Sequence, residues 1–303
     1  MEPVEFKDID HIVFSGMGGS GAIGDLFLSV LSKTPIHVTV VKGYVLPKTV
    51  DSKTLVVATS VSGNTVETIT TAESAKELGC KVICFSSGGK LEEFCQKFNI
   101  EHRIIPIHNN ARASFPAYVY SIIKTLNSTI PINKKNILDS ISQLEILSEK
   151  ISTKNLTDSN PSLSLTKWLD GIPLIYYPWG LQAAATRFKN SIQENLKNHA
   201  MIEDVIEACH NGIVSWEKPS SAKPILIQGT EDYVKTKERW VILKDYFKEN
   251  NIDFWEVVSV EGDVLSKVIN LIYLLDFATI YEAVIKEIDP FPIKSIDYIK
   301  KNL

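Results

Sequence analysis

Short, almost wholly apolar runs alternate with stretches of helical spacing over the first 106 residues. The runs are residues 11–15, 36–41, 54–58, 81–85 and 103–106. Apolar residues that recur every three or four positions predict helices at 22–31, 66–78 and 90–98. Because a strand that is apolar at nearly every position must be buried on both faces, the pattern predicts a parallel sheet with helices on both sides.

A second series of such alternations begins near residue 163, after a polar stretch that contains one amphipathic helix and a loop at 153–161. Strands are predicted at 172–177, 224–228 and 253–258, and helices at 181–198, 232–250, 264–288 and 294–301. A chain of 303 residues is long enough for two domains. The predicted fold is therefore α/β, with two tandem three-layer αβα domains, each on a mainly parallel sheet. The predicted divisions are an N-terminal domain at 1–128, a connecting helix and linker at 129–160, and a C-terminal domain at 161–303.

The segment Ser60–Thr65 joins a predicted strand to a predicted helix at the sheet edge where ligands bind in such folds. A helix N-terminus offers unpaired N–H groups and the positive end of the helix dipole. The hydroxyls of Ser60, Ser62 and Thr65 add further donors. A simple N-cap by Ser62 or Asn64 is the alternative, but a cap needs only one such residue. The segment therefore predicts a site for the phosphate group of a small substrate.

The segment 16–21 is a predicted glycine loop after the first strand. Its glycines satisfy G-x-G-x-x-G, so a nicotinamide cofactor is an alternative. That motif requires an acidic residue at the end of the next strand, about 20 residues on, to bind ribose. The next strand ends instead at Val41-Lys42-Gly43, and only a 2′-phosphate would suit Lys42. The segment therefore favours a ligand smaller than a dinucleotide.

Four other residues are candidates for acid–base or charge-stabilising chemistry. Arg112 follows the strand at 103–106, and Glu194 lies in a helix with Arg187 on the same stripe. His210 follows a short helical pattern at 201–208, and Lys300 lies near the C-terminus. Each has a plainer interpretation as a solvated side chain or a turn residue.

Composition excludes several classes of function. The net charge is −4 and no basic tract occurs, which argues against a nucleic-acid partner. Four cysteines without a C-x-x-C pair predict reduced thiols in a cytoplasmic protein and no zinc site. The N-terminus is charged and no run approaches about 18 apolar residues, so we expect no membrane span.

The motifs resemble those of a known family. Gly16-Met-Gly-Gly-Ser-Gly-Ala-Ile-Gly-Asp25 and Ser60-Val-Ser-Gly-Asn-Thr-Val-Glu67 resemble the two signatures of sugar isomerase (SIS) domains. Three further segments, 110–112, 187–195 and 210–217, resemble the bifunctional phosphoglucose/phosphomannose isomerases of archaea and some bacteria. The resemblance spans nearly the whole chain and keeps the motifs in order.

The resemblance implies two SIS domains and an aldose–ketose isomerase. Such an enzyme interconverts glucose 6-phosphate, and also mannose 6-phosphate, with fructose 6-phosphate through a cis-enediol, and uses no metal or other cofactor. The implied substrate-binding residues are Ser60, Ser62 and Thr65 for the phosphate and Gly18, Gly19 and Ser20 for the sugar. The implied catalytic residues are Glu194 as the C1–C2 proton base, Arg112 as the enediolate stabiliser, Lys300 (or the adjacent Lys301) as a helper in ring opening, and His210 as the ring-opening group, contributed by the partner subunit of a homodimer.

These residue types suit the implied chemistry, which needs a carboxylate base, fixed positive charge at the enediolate and an acid–base group at the ring oxygen. Val61, Cys209 and Gly212 differ from the family's usual residues, which affects pocket shape and hence substrate preference. An SIS enzyme for an amino-sugar phosphate is one alternative function. A non-catalytic sugar-phosphate sensor is a second, although a regulator would normally carry a DNA-binding module.

Overall fold

The computed structural model describes residues 2–302, which form two compact units that divide between Lys135 and Asn136. We refer to the residues before this division as unit 1 and those after it as unit 2.

Unit 1 is a five-stranded parallel sheet with helices on both faces. Its strands are β1 (His11–Ser15), β2 (His37–Val41), β3 (Thr54–Ser60), β4 (Lys81–Ser86) and β5 (Glu101–Ile104). Its helices are α1 (Gly18–Leu31), α2 (Val66–Glu77), α3 (Gly89–Phe98) and α4 (Phe115–Thr125). The strand order is β2-β1-β3-β4-β5, and every pair is parallel.

The alternation of side chains along the strands explains why both faces of this sheet are covered. On one face, Val13, Val56 and Cys84 pack against α2 and α3 in a single buried cluster. On the other face, Phe14 stacks on Phe27 of α1, with 4.8 Å between ring centroids. Because successive residues of a strand point to opposite faces, both must be apolar. The sequence-based prediction of a doubly covered parallel sheet is therefore confirmed.

Unit 2 repeats this arrangement with four strands. The strands are β6 (Ile172–Tyr177), β7 (Met201–Asp204), β8 (Ala222–Gln228) and β9 (Trp255–Val258). The helices are α5 (Lys134–Ile151), α6 (Pro161–Trp168), α7 (Gln182–Leu196), α8 (Val205–Ala208), α9 (Val234–Glu249), α10 (Val264–Ile285) and α11 (Lys294–Lys301), with a 3₁₀ helix at Gly212–Glu217. The strand order is β7-β6-β8-β9, all parallel, so β6 and β8 correspond to β1 and β3 of unit 1.

Helix α10 is the central helix of unit 2. It is the one helix among the described residues that is long and apolar enough to cross a membrane. However, 56% of its most apolar 18-residue stretch is buried inside the protein. It packs against α6 and α7, and the Asp263 carboxylate caps its first turn by accepting from the Ser266 N–H. These contacts are those of a core helix, as its polar residues predict.

Two sequence-based boundaries in unit 1 were wrong. The predicted glycine loop is mostly helix, because α1 begins at Gly18 and the Ser20 and Gly21 N–H groups already donate to the Met17 carbonyl. Strand β5 lies two residues earlier than the predicted run, because its register against β4 pairs Ile83 with Glu101. Polar residues at this edge of the sheet hid the strand from an apolar-run criterion.

Two predictions in unit 2 also need correction. The segment 201–208 was predicted to be helical, but its first half is β7, paired in parallel with β6, and only α8 is helical. The Asp204 carboxylate marks the change by accepting from the Ile206 and Glu207 N–H groups. Helix α6 was missed, although Asn160 caps it and Pro161 stands at its first position, a recognisable helix-start signal.

The chain between the two sheets is not a free linker. Helix α5 belongs to unit 2, where the Gln143 carbonyl accepts from Asn270 and the Ile151 carbonyl accepts from Tyr281, both on α10. Domain limits at 128 and 161 stay a prediction. The helix that was predicted as a connector nevertheless packs with the second sheet's helices.

We predict that Phe247→Ala lowers the free energy of unfolding of unit 2 by about 3–5 kcal/mol, because Phe247 is fully buried against the rings of Tyr176, Trp216 and Phe254. All five tryptophans lie in unit 2, so denaturant unfolding followed by tryptophan fluorescence reports on it. Val241→Ala on the exposed face of the same helix is the control, with an expected change within about 0.5 kcal/mol. Equal losses for the two variants would contradict this assignment of the core.

Candidate active site

The serine loop, Ser60–Thr65, lies where β3 ends and α2 begins. Ser60 is the last residue of β3 and Thr65 is the N-cap of α2, and their hydroxyl oxygens are 2.8 Å apart. The Gly63 N–H donates to the Ser60 carbonyl at 3.0 Å, which closes a tight turn. The loop thus brings two of its three predicted phosphate-binding hydroxyls together at the start of a helix.

The prediction of a cap by Ser62 or Asn64 is wrong. The N-cap of α2 is Thr65, and its side chain makes no capping hydrogen bond. The Ser62 hydroxyl instead accepts from the Asn64 N–H at 3.3 Å, and the Asn64 amide donates to the Ser62 carbonyl at 3.0 Å. The first turn of α2 therefore has no cap from its N-cap side chain, at the end of the helix whose dipole favours negative charge, and this is compatible with the predicted phosphate site.

The first turn of α1 lies beside the serine loop, because β1 and β3 are neighbouring parallel strands. It contains Gly18, Gly19 and Ser20, the residues expected to line the sugar, and its N-cap Met17 also makes no side-chain capping bond. Gly18 has a φ of +52°, a left-handed backbone conformation that glycine adopts without the steric cost of a Cβ. Two helix starts without side-chain caps therefore face the same sheet edge.

Lys42, the residue that kept a nicotinamide cofactor possible, has a different partner. Its ammonium group is 2.5 Å from a carboxylate oxygen of Asp25 on α1. A cation paired in this way is not set aside for a ribose 2′-phosphate. The pairing also fastens the end of β2 to α1, which weighs against the dinucleotide interpretation.

Arg112 lies on the same edge of the unit 1 sheet but follows β5, two strands away from β3. It is half-buried in the turn before α4. Asn110 and Ser114 organise this turn. The side-chain oxygen of Asn110 accepts from the Ala113 N–H, and its backbone carbonyl accepts from the Ser114 hydroxyl, both at 2.9 Å. Within unit 1, topology therefore places the serine loop, the α1 turn and Arg112 at one edge.

The corresponding loop of unit 2, between β8 and α9, is built differently. A carboxylate oxygen of Asp232 accepts from the Gly229 N–H and from the indole N–H of Trp240, each at 3.0 Å. Burial raises the pKa of Asp232, against these two hydrogen bonds and the charges of Lys267 and Lys237. The neighbouring Glu231 pairs with Lys267 at 2.7 Å. The two carboxylates make this loop less suited to phosphate than the serine loop of unit 1, although α9, like α2, has no cap from its N-cap side chain.

Glu194 lies near the end of α7 and is half-buried. Two turns earlier, Arg187 is buried and pairs with Asp276 of α10, with Nη2 2.8 Å and Nε 3.1 Å from Oδ2. The Ser191 hydroxyl donates to the same carboxylate at 2.5 Å. Burial acts to lower the pKa of Arg187, but the charge and hydrogen bonds of Asp276, together with the charge of Glu194, raise it overall. The helix that carries Glu194 is thus fixed to α10 by a buried ion pair.

His210 and Lys300 lie on exposed parts of unit 2. His210 follows α8 in a turn where the Asn211 amide donates to Glu207 at 2.8 Å, and Lys300 lies in α11, a helix without a buried side chain. Over residues 2–302, neither the His210 ring nor the Lys300 ammonium group forms a hydrogen bond or ion pair. Both side chains are accessible at the surface of the unit.

The sequence-based interpretation missed the segment 86–91, which supports the serine loop. It runs from the last residue of β4, the strand next to β3, into the first turn of α3, and it donates hydrogen bonds to two carbonyls of the serine loop. Its sequence, Ser-Ser-Gly-Gly at the end of a predicted strand, was a usable signal because ligand sites collect at that edge. Asp276 was missed as well, since no local pattern links it to Arg187.

We predict that Asp276→Ala lowers the free energy of unfolding of unit 2 by about 3–5 kcal/mol, because the buried Arg187 guanidinium loses its carboxylate. The double variant Arg187→Met/Asp276→Leu should recover most of this loss, since it removes both charges and keeps apolar volume. Tryptophan fluorescence during urea unfolding provides the measurement. A double variant as unstable as the single one would show that the pair's charge is not the cause.

Comparisons with known proteins agree with these features. Residues 5–126 match a protein-family model described as SIS domain. Residues 158–303 match a second family model, described as bacterial phospho-glucose isomerase C-terminal SIS domain. A solved structure, tagatose-6-phosphate ketose/aldose isomerase from Escherichia coli, has a TM-score of 0.69 at 15% identity and covers 92% of this chain and 83% of its own. That likeness shows the fold alone.

Two relatives of known name are more similar in sequence. A bifunctional phosphoglucose/phosphomannose isomerase from Caldicellulosiruptor bescii is 35% identical over 312 residues, which cover 99% of this chain and 91% of the relative. A D-glucosamine-6-phosphate 4-epimerase from Sulfolobus acidocaldarius is 31% identical over 210 residues, 68% of this chain and 64% of the relative. The extent of the first match, with an SIS domain in each half, shows that this chain belongs to the bifunctional phosphoglucose/phosphomannose isomerase family.

Proposed function

We propose that the protein is an aldose–ketose isomerase that interconverts glucose 6-phosphate and mannose 6-phosphate with fructose 6-phosphate. The observation that carries this proposal is the serine loop, with hydroxyls of Ser60 and Thr65 2.8 Å apart at the start of α2, which no side chain caps. The loop suits a phosphate monoester. Membership of the isomerase family supplies the reaction.

The proposed chemistry begins with binding. Ser60, Ser62 and Thr65 donate to the 6-phosphate, and the first turn of α1 lines the sugar. Both segments lie at the carboxyl ends of neighbouring strands, so a sugar phosphate held by its phosphate extends along this edge. Binding through a group remote from the reacting carbons allows the same loop to serve glucose and mannose 6-phosphates, which differ only at C2.

Proton transfer follows in the proposal. Glu194 removes the proton from C2 of the open-chain aldose and returns it to C1, while the hydroxyl proton of O2 passes to O1. Arg112 stabilises the negative charge of the cis-enediolate that forms between these transfers. A carboxylate serves because it accepts and then releases the same proton. A guanidinium serves because it stays charged throughout and offers several donors.

Ring opening completes the proposed scheme. His210 moves a proton at the ring oxygen, a task that suits an imidazole near neutral pH, and Lys300 assists. We propose that His210 acts on the substrate of the partner subunit in a homodimer. Its exposed position in a turn, with no hydrogen-bond partner for the imidazole ring among residues 2–302, supports such a role.

A second function, epimerisation of an amino-sugar phosphate, is favoured by one observation. The Sulfolobus acidocaldarius relative named D-glucosamine-6-phosphate 4-epimerase is 31% identical over 68% of this chain. Such an enzyme would share the phosphate loop. It would differ in the carbon at which stereochemistry changes.

We predict that the wild-type protein isomerises glucose 6-phosphate and mannose 6-phosphate with EDTA present, and that Glu194→Gln lowers kcat by on the order of 100-fold or more. A coupled assay for fructose 6-phosphate measures both. Gln193→Asn, on the adjacent exposed position, is the matched control and should keep wild-type kcat. Unchanged turnover in Glu194→Gln would rule out this base. Conversion of glucosamine 6-phosphate to a C4 epimer, with neither hexose phosphate turned over, would favour the second function.

A mixing experiment tests the shared site. If each site combines Glu194 of one subunit with His210 of the other, Glu194→Gln and His210→Ala are each inactive alone. When the two are unfolded and refolded together in equal amounts, half of the dimers carry one intact site, so about a quarter of wild-type activity should return. Refolding each variant alone is the control. No recovery in the mixture, with mixed dimers demonstrated by affinity tags, would place His210 in the site of its own subunit.

A further inference from the structure

The segment 86–91 forms the support against which the serine loop is built. The Val61 carbonyl accepts from the Ser87 N–H at 3.2 Å and from the Ser87 hydroxyl at 2.6 Å. The Gly63 carbonyl accepts from the Leu91 N–H at 2.9 Å. Backbone contacts of this kind transmit any shift of the supporting segment to the serine loop.

Gly63 of the serine loop lies directly against Gly88 of the supporting segment. Gly63 has a φ of +68°, and a Cβ built on it would lie 1.6 Å from the Gly88 carbonyl oxygen. The serine loop therefore follows its path only because Gly63 has no side chain and the Gly88 carbonyl stays in one place. Gly63 stands midway between Ser60 and Thr65, so the position of that carbonyl sets where the two hydroxyls converge.

The hydroxyl of Ser86 fixes the Gly88 peptide. It donates to the Gly88 carbonyl at 2.9 Å and accepts from the Gly88 N–H at 3.1 Å. Its oxygen also lies 2.8 Å from Nε2 of His102. A serine hydroxyl has one proton, and with that proton on the Gly88 carbonyl it can only accept from His102. The hydrogen-bond network therefore assigns the Nε2–H form to this histidine.

His102 is held in place by the sheet. It lies on β5 and pairs with Cys84 of β4. Ser86, two residues after Cys84 on β4, is fully buried. Burial lowers the pKa of His102, and the charge of Arg103 lowers it further, although the charges of Glu92 and Glu101 act to raise it. Because the overall shift is downward, the ring is mostly neutral at neutral pH. Both the neutral Nε2–H ring and the protonated ring can donate to Ser86. The network is thus a chain of contacts from β5, through Ser86 and Gly88, to the serine loop.

We propose that Ser86 and His102 are positioning residues for the phosphate site: they hold the Gly88 carbonyl against Gly63 and so set the geometry of the Ser60 and Thr65 hydroxyls. Neither residue touches the substrate in this proposal. It rests on the proposed function only in that the serine loop binds phosphate. Loss of the network weakens phosphate binding and leaves the proton-transfer groups unaffected.

The test compares variants of His102 that keep or remove the donor. A glutamine amide can place its N–H close to the position of Nε2, whereas leucine cannot donate. We expect His102→Leu and Ser86→Ala each to raise the Kd for inorganic phosphate, measured by calorimetry, and the KM for glucose 6-phosphate by about tenfold. We expect kcat to change less than about twofold, and His102→Gln to stay within about threefold of the wild type on every measure.

A histidine at the opposite end of the same sheet provides the matched control. His11 is buried on β1, with Nε2 2.9 Å from the Thr39 hydroxyl, and lies at the amino end of its strand, away from the serine loop. His11→Leu and His11→Gln remove or keep an equivalent hydrogen bond. Their effect should be confined to thermal stability, with Kd and KM unchanged.

Each outcome decides between the proposals. Unchanged phosphate Kd in both His102→Leu and Ser86→Ala overturns the positioning role, as does a His102→Gln variant that binds as weakly as His102→Leu. Should His102→Leu fail to fold, Ser86→Ala, which deletes a single oxygen, carries the comparison. A wild type that binds phosphate but turns over no hexose phosphate contradicts the proposed function and leaves the phosphate test valid. A wild type that binds neither phosphate nor glucose 6-phosphate overturns both.

Discussion

Parallel pairing of β1, β3 and β4 is the constraint on which the candidate site of unit 1 depends. Because all strands of a parallel sheet run the same way, the segments that follow them must emerge at one edge. Three such segments are the first turn of α1, the serine loop and the segment 86–91. Each begins at, or a few residues after, the end of its strand. The hydrogen bonds of the ladder, together with the apolar side chains on both faces, therefore set the separation of groups far apart in sequence.

Strands β2-β1-β3-β4 of unit 1 and β7-β6-β8-β9 of unit 2 have equivalent orders, but the loops after β3 and after β8 carry different charged and polar groups. After β3 the chain presents hydroxyls at the start of α2, whereas after β8 it presents the carboxylates of Glu231 and Asp232 before α9; neither helix has a cap from its N-cap side chain. The first arrangement suits the predicted phosphate, whereas in the second the Asp232 carboxylate accepts hydrogen bonds from Gly229 and Trp240. One fold thus gives two loops of different chemistry, which is consistent with the rule that function resides in sites and not in the fold itself.

Unit 2 contributes rigidity of another kind. The ion pair between Arg187 and Asp276 is buried on the arginine side and joined by the Ser191 hydroxyl, which ties α7 to the core helix α10. Removing one partner of such a pair leaves a buried charge without compensation, which costs more than the intact pair adds to stability. Glu194 lies on the helix that this pair fixes, so the orientation of the proposed base depends on Asp276, a residue of α10 that is distant in the chain.

Local pattern was enough to predict much of this protein. Nearly continuous apolar strands predicted the parallel sheets, and helical spacing located α2, α7 and α10. The polar sequence of the serine loop, between a strand and a helix, marked it as the candidate phosphate site, which stays a prediction. Boundaries failed where signals conflicted. Strand β7 looked helical because its few residues are partly polar, and only pairing with β6 makes it a strand.

Other features were decided only by the tertiary structure, because they depend on contacts that no spacing reveals. The register of β4 against β5 brings His102 to Ser86, and the approach of two loops makes Gly63 indispensable opposite Gly88. Packing of α7 on α10 gives Arg187 its carboxylate. The sequence by itself determined the strand and helix pattern of both sheets and identified the candidate residues for phosphate binding and proton transfer. The tertiary structure decided which neighbours hold them in position, since that follows from packing between segments distant in the chain.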